Sequence, residues 1–221
     1  SFWEDNSFDR AAVALVTESP FEVRSYAYSV FSNVRRIGGT VQGEIQEGAV
    51  DHALAGDTVL LQAGTYDEQV TVNEDGLTLK GAGIGATVIQ GSACGGTGLA
   101  LTGNRSAIAL KGLTVTGFQD GITTDNIGST VTDVLVEDVS ASANCRHGLW
   151  FQAGITSDLT LRRVNASNNG GIGSGGRGFW IINGTKSDIT IEDGTFNNNR
   201  LVGIDISDGN VTGLAVTGNT V

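Results

Sequence analysis

Gly148-Leu149-Trp150-Phe151 and Gly178-Phe179-Trp180-Ile181 decide the fold. Each is a glycine followed by three apolar residues, and each has counterparts on either side: Gly98-Leu99-Ala100-Leu101, Gly121-Ile122-Thr123-Thr124 and Gly203-Ile204-Asp205-Ile206. The steps between these glycines are 23, 27, 30 and 25 residues. A second set interleaves with the first: Ile108-Ala109-Leu110, Val134-Leu135-Val136, Leu159-Thr160-Leu161, Ile189-Thr190-Ile191 and Leu214-Ala215-Val216. Apolar residues at i and i+2 mark a strand with one buried face. A third, weaker apolar site follows each time, at Val115, Ala141, Ala166, Phe196 and Val221. Runs of small polar residues, such as Ser142-Ala143-Asn144 and Asn197-Asn198-Asn199, fill the gaps. Three short strands in about 25 residues, with no helix between them, describe one coil of a parallel solenoid.

Other repeat folds fit less well. A leucine-rich repeat needs a fixed Leu/Asn template, and a propeller blade needs four strands in about 40–45 residues. The Gly-Gly-x-Gly-x-Asp repeat of a calcium-binding roll is absent. Composition agrees with a solenoid. Glycine supplies 33 of 221 residues, about twice the usual share, as expected where coils turn and stack closely. The glycines follow no three-residue period and there is one proline, which excludes collagen. No apolar run approaches the roughly 18 residues that span a bilayer, so no membrane span is expected. A net charge of −11 argues against nucleic acid, whose binding runs on clustered Lys and Arg.

Upstream lies Ala55-Gly56-Asp57-Thr58-Val59-Leu60-Leu61-Gln62-Ala63-Gly64-Thr65-Tyr66-Asp67-Glu68-Gln69-Val70, followed by Leu77-Thr78-Leu79-Lys80-Gly81-Ala82-Gly83. This stretch resembles the first coil of the pectate-lyase-like right-handed parallel β-helix superfamily. The resemblance implies a short amphipathic helix ahead of the Gly-Asp-Thr-Val run, plugging the end of the solenoid. Ile45, Ala49, Val50, Ala53 and Leu54 lie on one helical face and supply it. The expected fold is therefore all-β: a single-stranded right-handed parallel β-helix over 41–221, with a short N-terminal capping helix. Residues 1–40 read as an arm or cap, broken at Ser19-Pro20, with a β-prone segment from Phe21 to Phe31. The last coil reads as uncapped at Val221, so it either continues, is covered by a partner, or serves self-assembly.

Stacked coils put equivalent positions about 4.8 Å apart, so outward ladders can be read directly. Lys111, Glu137, Arg162 and Glu192 form one, with Asp138, Arg163 and Asp193 beside it. Alternating signs suit neighbouring strands and fix register. Asp133, Asp158 and Asp188 form a second line. They are candidate Ca²⁺ ligands, or Asx-type turns in which each carboxylate accepts backbone N–H groups. The third line matters most. If Leu149, Phe151, Phe179 and Ile181 point inward, Trp150 and Trp180 point outward from adjacent coils, between Thr123 and Asp205. Arg146, His147, Gln152 and Arg177 fall around them. An aromatic surface edged by cations suits a sugar ring and its carboxylate or sulfate groups, or else it is covered by the arm or a neighbouring subunit.

Cys94 and Cys145 fall near one corner about two coils apart, roughly 10 Å of rise. That exceeds the separation a disulfide tolerates, unless the loop Gly91-Ser92-Ala93-Cys94-Gly95-Gly96 closes the gap. Sequons stand at Asn104, Asn165, Asn183 and Asn210.

The resemblance also implies a trade in acidic polysaccharides. Lyases of the superfamily use an Arg or Lys base with Ca²⁺ or cations, hydrolases use clustered aspartates, and alginate epimerases carry Asp-Pro-His-Asp. That last motif is absent, since the one proline is Pro20. No outward trio of carboxylates lies on the tryptophan face, where Asp205 has only Asp208 nearby in a turn. Arg146, His147 and Arg177 are the candidate catalytic groups, as base and carboxylate neutraliser. Two readings result. One is a non-catalytic extracellular or cell-surface module that contacts polysaccharide or another protein subunit. The alternative is a polysaccharide lyase or C5-epimerase, or a fragment of one.

Overall fold

In a computed structural model, the described residues are 45–124, 128–171 and 175–221, together with the backbone of Val13–Glu18, Glu22–Ser29 and Val34–Ile37. The alternating segments become two parallel sheets, as their periodicity requires. One carries the longer strands, among them Arg105–Thr116, Thr130–Ser140, Ile155–Arg162, Thr185–Glu192 and Asn210–Thr217. The other has six short strands: Val70–Val72, Thr97–Leu101, Asp120–Thr124, His147–Phe151, Arg177–Ile182 and Val202–Ser207. Each strand pairs with its equivalent one coil on, in the register read from the sequence: Ile108 with Val134, Val134 with Leu159, Leu159 with Ile189, and Ile189 with Leu214. The chain is an all-β right-handed parallel solenoid.

Its core is a set of inward columns. Leu110, Val136, Leu161 and Ile191 from the long strands meet Leu101, Phe151 and Ile181 from the short ones, all at most 1% exposed. Val115, Ala141, Ala166 and Phe196 close the third side, equally buried. The inward residues of the last coil, Leu214 and Val216, have neighbours on one side only and are 45% and 46% exposed.

Gly148 shows why a glycine is the second residue in five of the six short strands. A Cβ there would stand 2.6 Å from the carbonyl oxygens of Ala141 and Gly178 and 2.8 Å from the Asn169 amide. The Asn169 amide is part of an inner ladder of asparagines, a feature that sequence reading took for plain turn residues. The Asn144 N–H donates to Asn169 Oδ1 and the Asn169 N–H to Asn199 Oδ1, each at 3.0 Å. The ladder satisfies turn amides that the coil geometry strands inside the solenoid.

The capping helix is shorter than expected. Among the described residues only Val50–His52 forms a regular helical turn, after a wide turn in which the Val50 N–H donates to the Ile45 carbonyl at 2.8 Å. Ile45, Ala49, Val50 and Ala53 are buried as the helical face requires, but Leu54 is 69% exposed. The backbone becomes extended at Ala53 and turns Leu54 outward. Glu68 ties this cap to the first coil, its carboxylate accepting the N–H groups of Ile45 and Gln46 at 3.0 Å each. Burial raises the Glu68 pKa above its ordinary value, against the lowering effect of those two bonds.

Within the expected arm, Val13–Glu18 and Glu22–Ser29 pair antiparallel, and Glu22–Ser29 pairs with Val34–Ile37. The last of these runs parallel to Thr58–Leu61 and so continues the long-strand sheet. The other residues of 1–40 lie outside the described residues.

Candidate functional site

Register brings the predicted residues together on the short-strand sheet. Thr123 pairs with Trp150, Trp150 with Trp180, and Trp180 with Asp205. The two indoles stack, with centroids 5.5 Å apart and planes 7° from parallel. The Arg146 guanidinium lies 4.5 Å from the Trp150 ring centre and that of Arg177 lies 4.1 Å from the Trp180 ring centre. A guanidinium between the rings would need roughly 7 Å, two contacts of about 3.5 Å. Each arginine therefore covers the outer face of its own indole. Arg146 in turn grips Asp120, one coil back, through Nε at 2.9 Å and a second bond from its terminal nitrogen. Arg177 reaches forward to Asp205, Nε to Oδ2 at 2.5 Å. The result is one stack along the solenoid axis: Asp120, Arg146, Trp150, Trp180, Arg177, Asp205.

Each indole has the other indole and a guanidinium against it, so a sugar meets the remaining indole surface and the flanking guanidiniums. Asp120 went unrecognised in the sequence. It stands immediately before Gly121, as His147 and Arg177 do before their glycines, and that shared offset was the available signal.

His147 lies beneath the stack. It is 2% exposed, with ring centroids 5.6 Å from Trp150 and 5.1 Å from Trp180. Its Nδ1 accepts the Arg177 N–H at 3.3 Å, and its own backbone N–H donates to Asp120 Oδ1 at 3.3 Å. Burial pushes its pKa down to about 4, opposed by Asp120 and assisted by the neighbouring arginines. The ring is neutral at pH 7, and since Nδ1 accepts, the proton sits on Nε2.

Other predicted positions are peripheral. The Gln152 N–H donates to Thr124 Oγ1 at 2.9 Å, and Thr123 is 8% exposed. The Trp180 indole N–H donates to Ser207 at 3.0 Å, whereas the buried Trp150 N–H has no partner among the described residues. Asp133, Asp158 and Asp188 occupy left-handed corners, with φ of 53°, 52° and 54°. Ala107 and Gly213 hold the same conformation at equivalent positions, so the place demands a left-handed backbone, which Asp tolerates, rather than a carboxylate. Among the described residues no three His, Cys, Asp or Glu side chains gather as a metal site.

Cys94 and Cys145 form a disulfide, with Cα atoms 5.7 Å apart. The rise estimated from coil number is overcome by the loop, where Ala93 and Cys94 take left-handed conformations (φ 53° and 62°). The bond holds the chain next to Arg146, whose N–H donates to the Gln119 carbonyl at 2.7 Å.

Fold and face together define a right-handed parallel β-helix with a closed aromatic and ionic stack on one sheet. The family described as the right handed beta helix region matches residues 68–221, and the chain belongs to it. A similar solved structure is that of alginate lyase from Paenibacillus sp. str. FPU-7, with a TM-score of 0.69 and 22% identity. The match covers 83% of this chain and 65% of that one, and the likeness is one of fold. No curated protein sequence matches the chain.

Proposed function

We propose that this chain is a non-catalytic, glycan-contacting β-helix of an extracellular or cell-surface protein, which lays acidic polysaccharide across the edges of its Trp150–Trp180 stack. The closed stack carries the reading. Indole edges and partly exposed guanidiniums offer C–H and charge contacts to a saccharide chain, while neither arginine is a free base. His147 is too buried to meet a substrate. A disulfide fits an oxidising compartment. Calcium has no donor set on this face among the described residues.

The lyase alternative draws on the similar fold of an alginate lyase. One pair of measurements decides between them. Calorimetric titration with alginate and pectate oligomers is expected to show binding that Trp150→Ala with Trp180→Ala abolishes. Ultraviolet absorbance of the unsaturated product is expected to stay flat with or without Ca²⁺. A sustained rise replaces the module with a lyase, and no binding to any acidic glycan rejects both readings.

A further inference from the structure

The two Arg–Asp pairs of the stack are not equivalent. Arg146 gives Asp120 two hydrogen bonds, and Asp120 also receives the His147 N–H, with a side chain only 3% exposed. Moving that carboxylate aside leaves a buried charge without its partner, which is strongly unfavourable. Its guanidinium is therefore a fixed part of the fold, next to the Cys94–Cys145 bond. Arg177 differs. It gives Asp205 one bond, through Nε, and among the described residues its two terminal nitrogens have no partner. Its side chain is 22% exposed, against 30% for Arg146, and its guanidinium carbon lies 4.1 Å from the Trp180 ring centre.

We infer that Arg177 is the charge-reading residue of this face: its terminal nitrogens take a carboxylate or sulfate of the bound glycan while Asp205 holds the guanidinium in orientation. The inference rests on the glycan reading above and adds which cation does the reading. With His147 neutral, two arginines and two aspartates cancel, so the stack has no net charge to attract an anion. Discrimination must come from a directed contact, and a fork of free N–H donors is suited to it. Arg146 is a structural cation with no part in ligand choice.

The test compares a galacturonate oligomer with the same oligomer fully methyl-esterified, by titration calorimetry of the full chain. The wild-type chain is expected to prefer the acid by about tenfold, the size of one lost charge-assisted hydrogen bond. Arg177→Gln should bind acid and ester alike, at the affinity the wild type shows for the ester. Arg146→Lys should lower the melting temperature and leave the preference intact. If Arg177→Gln, still folded by circular dichroism, keeps the preference for the acid, the assignment of Arg177 is wrong while glycan binding stands. If the wild type binds neither of these oligomers nor the alginate oligomers above, the glycan reading falls and takes this inference with it.

Discussion

The long-strand sheet and the short-strand sheet each carry a line of arginines paired with carboxylates on neighbouring coils. On the long-strand sheet, Glu137 contacts Lys111 at 3.4 Å, Arg162 at 3.3 Å and Arg163 at 2.9 Å, while Arg162 also reaches Glu192 at 2.5 Å. The outer members stand in water, Arg163 and Asp138, 2.7 Å apart, at 46% and 51% exposed, while Glu137 between them is 18% exposed. On the short-strand sheet the same type of pair is folded against indoles, and Asp120 is 3% exposed. Identical pairings thus differ in worth because burial, not distance, sets the cost of breaking them. The exposed ladder helps choose register, whereas the buried stack fixes the shape of a surface.

The largest predicted effect breaks the covalent anchor of the stack. Replacing both Cys94 and Cys145 by serine should lower unfolding stability by about 4 kcal/mol, the loop-closure value for a bridge of this span. Denaturant titration under oxidising conditions measures it, and an unchanged midpoint would show that the coils hold Arg146 without the bond.

Acid should act next most strongly, through His147. Its pKa falls from 6.5 to about 4 on folding, so the unfolded chain binds the proton first. The sign follows: this contribution is complete above pH 6.5 and is lost as pH falls towards 4, on the order of 3 kcal/mol in all. A His147→Gln variant is expected to lose that part of the slope, and equal slopes for the two proteins would mean that His147 is solvated.

Asp120→Ala should cost about 2–3 kcal/mol, a little below the value for a fully buried pair because Arg146 keeps some access to water. Asp138→Ala, which removes the exposed partner of Arg163, should when measured in parallel cost under about 1 kcal/mol and less still at high salt. Similar losses from the two would erase the contrast between the sheets. Within the stack, Trp180→Phe should be worse than Trp150→Phe by about 1 kcal/mol, since only Trp180 gives up a hydrogen bond, to Ser207. A reversed order in thermal melts would show that Trp150 has found a partner.

Much of the fold was legible in the residues. Alternation in Val134-Leu135-Val136 and its counterparts gave strand, inward face and register together, because a one-residue slip turns every side chain to the wrong side. The outward tryptophans followed from the same rule. The capping helix was overextended by Leu54, since periodicity does not see the turn at Ala53. Lys186 also escaped notice. It stands in line with Val131 and Thr156, 1% exposed, its amine donating to the carbonyls of Asn183 and Asp208.

The coil, its period and the residues that share a column can be read from the residue order, because they follow from backbone geometry and the sorting of apolar side chains. That order placed Trp150, Trp180, Arg146 and Arg177 on one face. The partners those side chains take emerge from the packed coils. Long side chains reach one coil back or one coil on, so Arg146 turns to Asp120 and Arg177 to Asp205. A looped corner likewise brings Cys94 to Cys145 across two coils. Backbone register fixes where a side chain starts, and packing and charge decide where it ends.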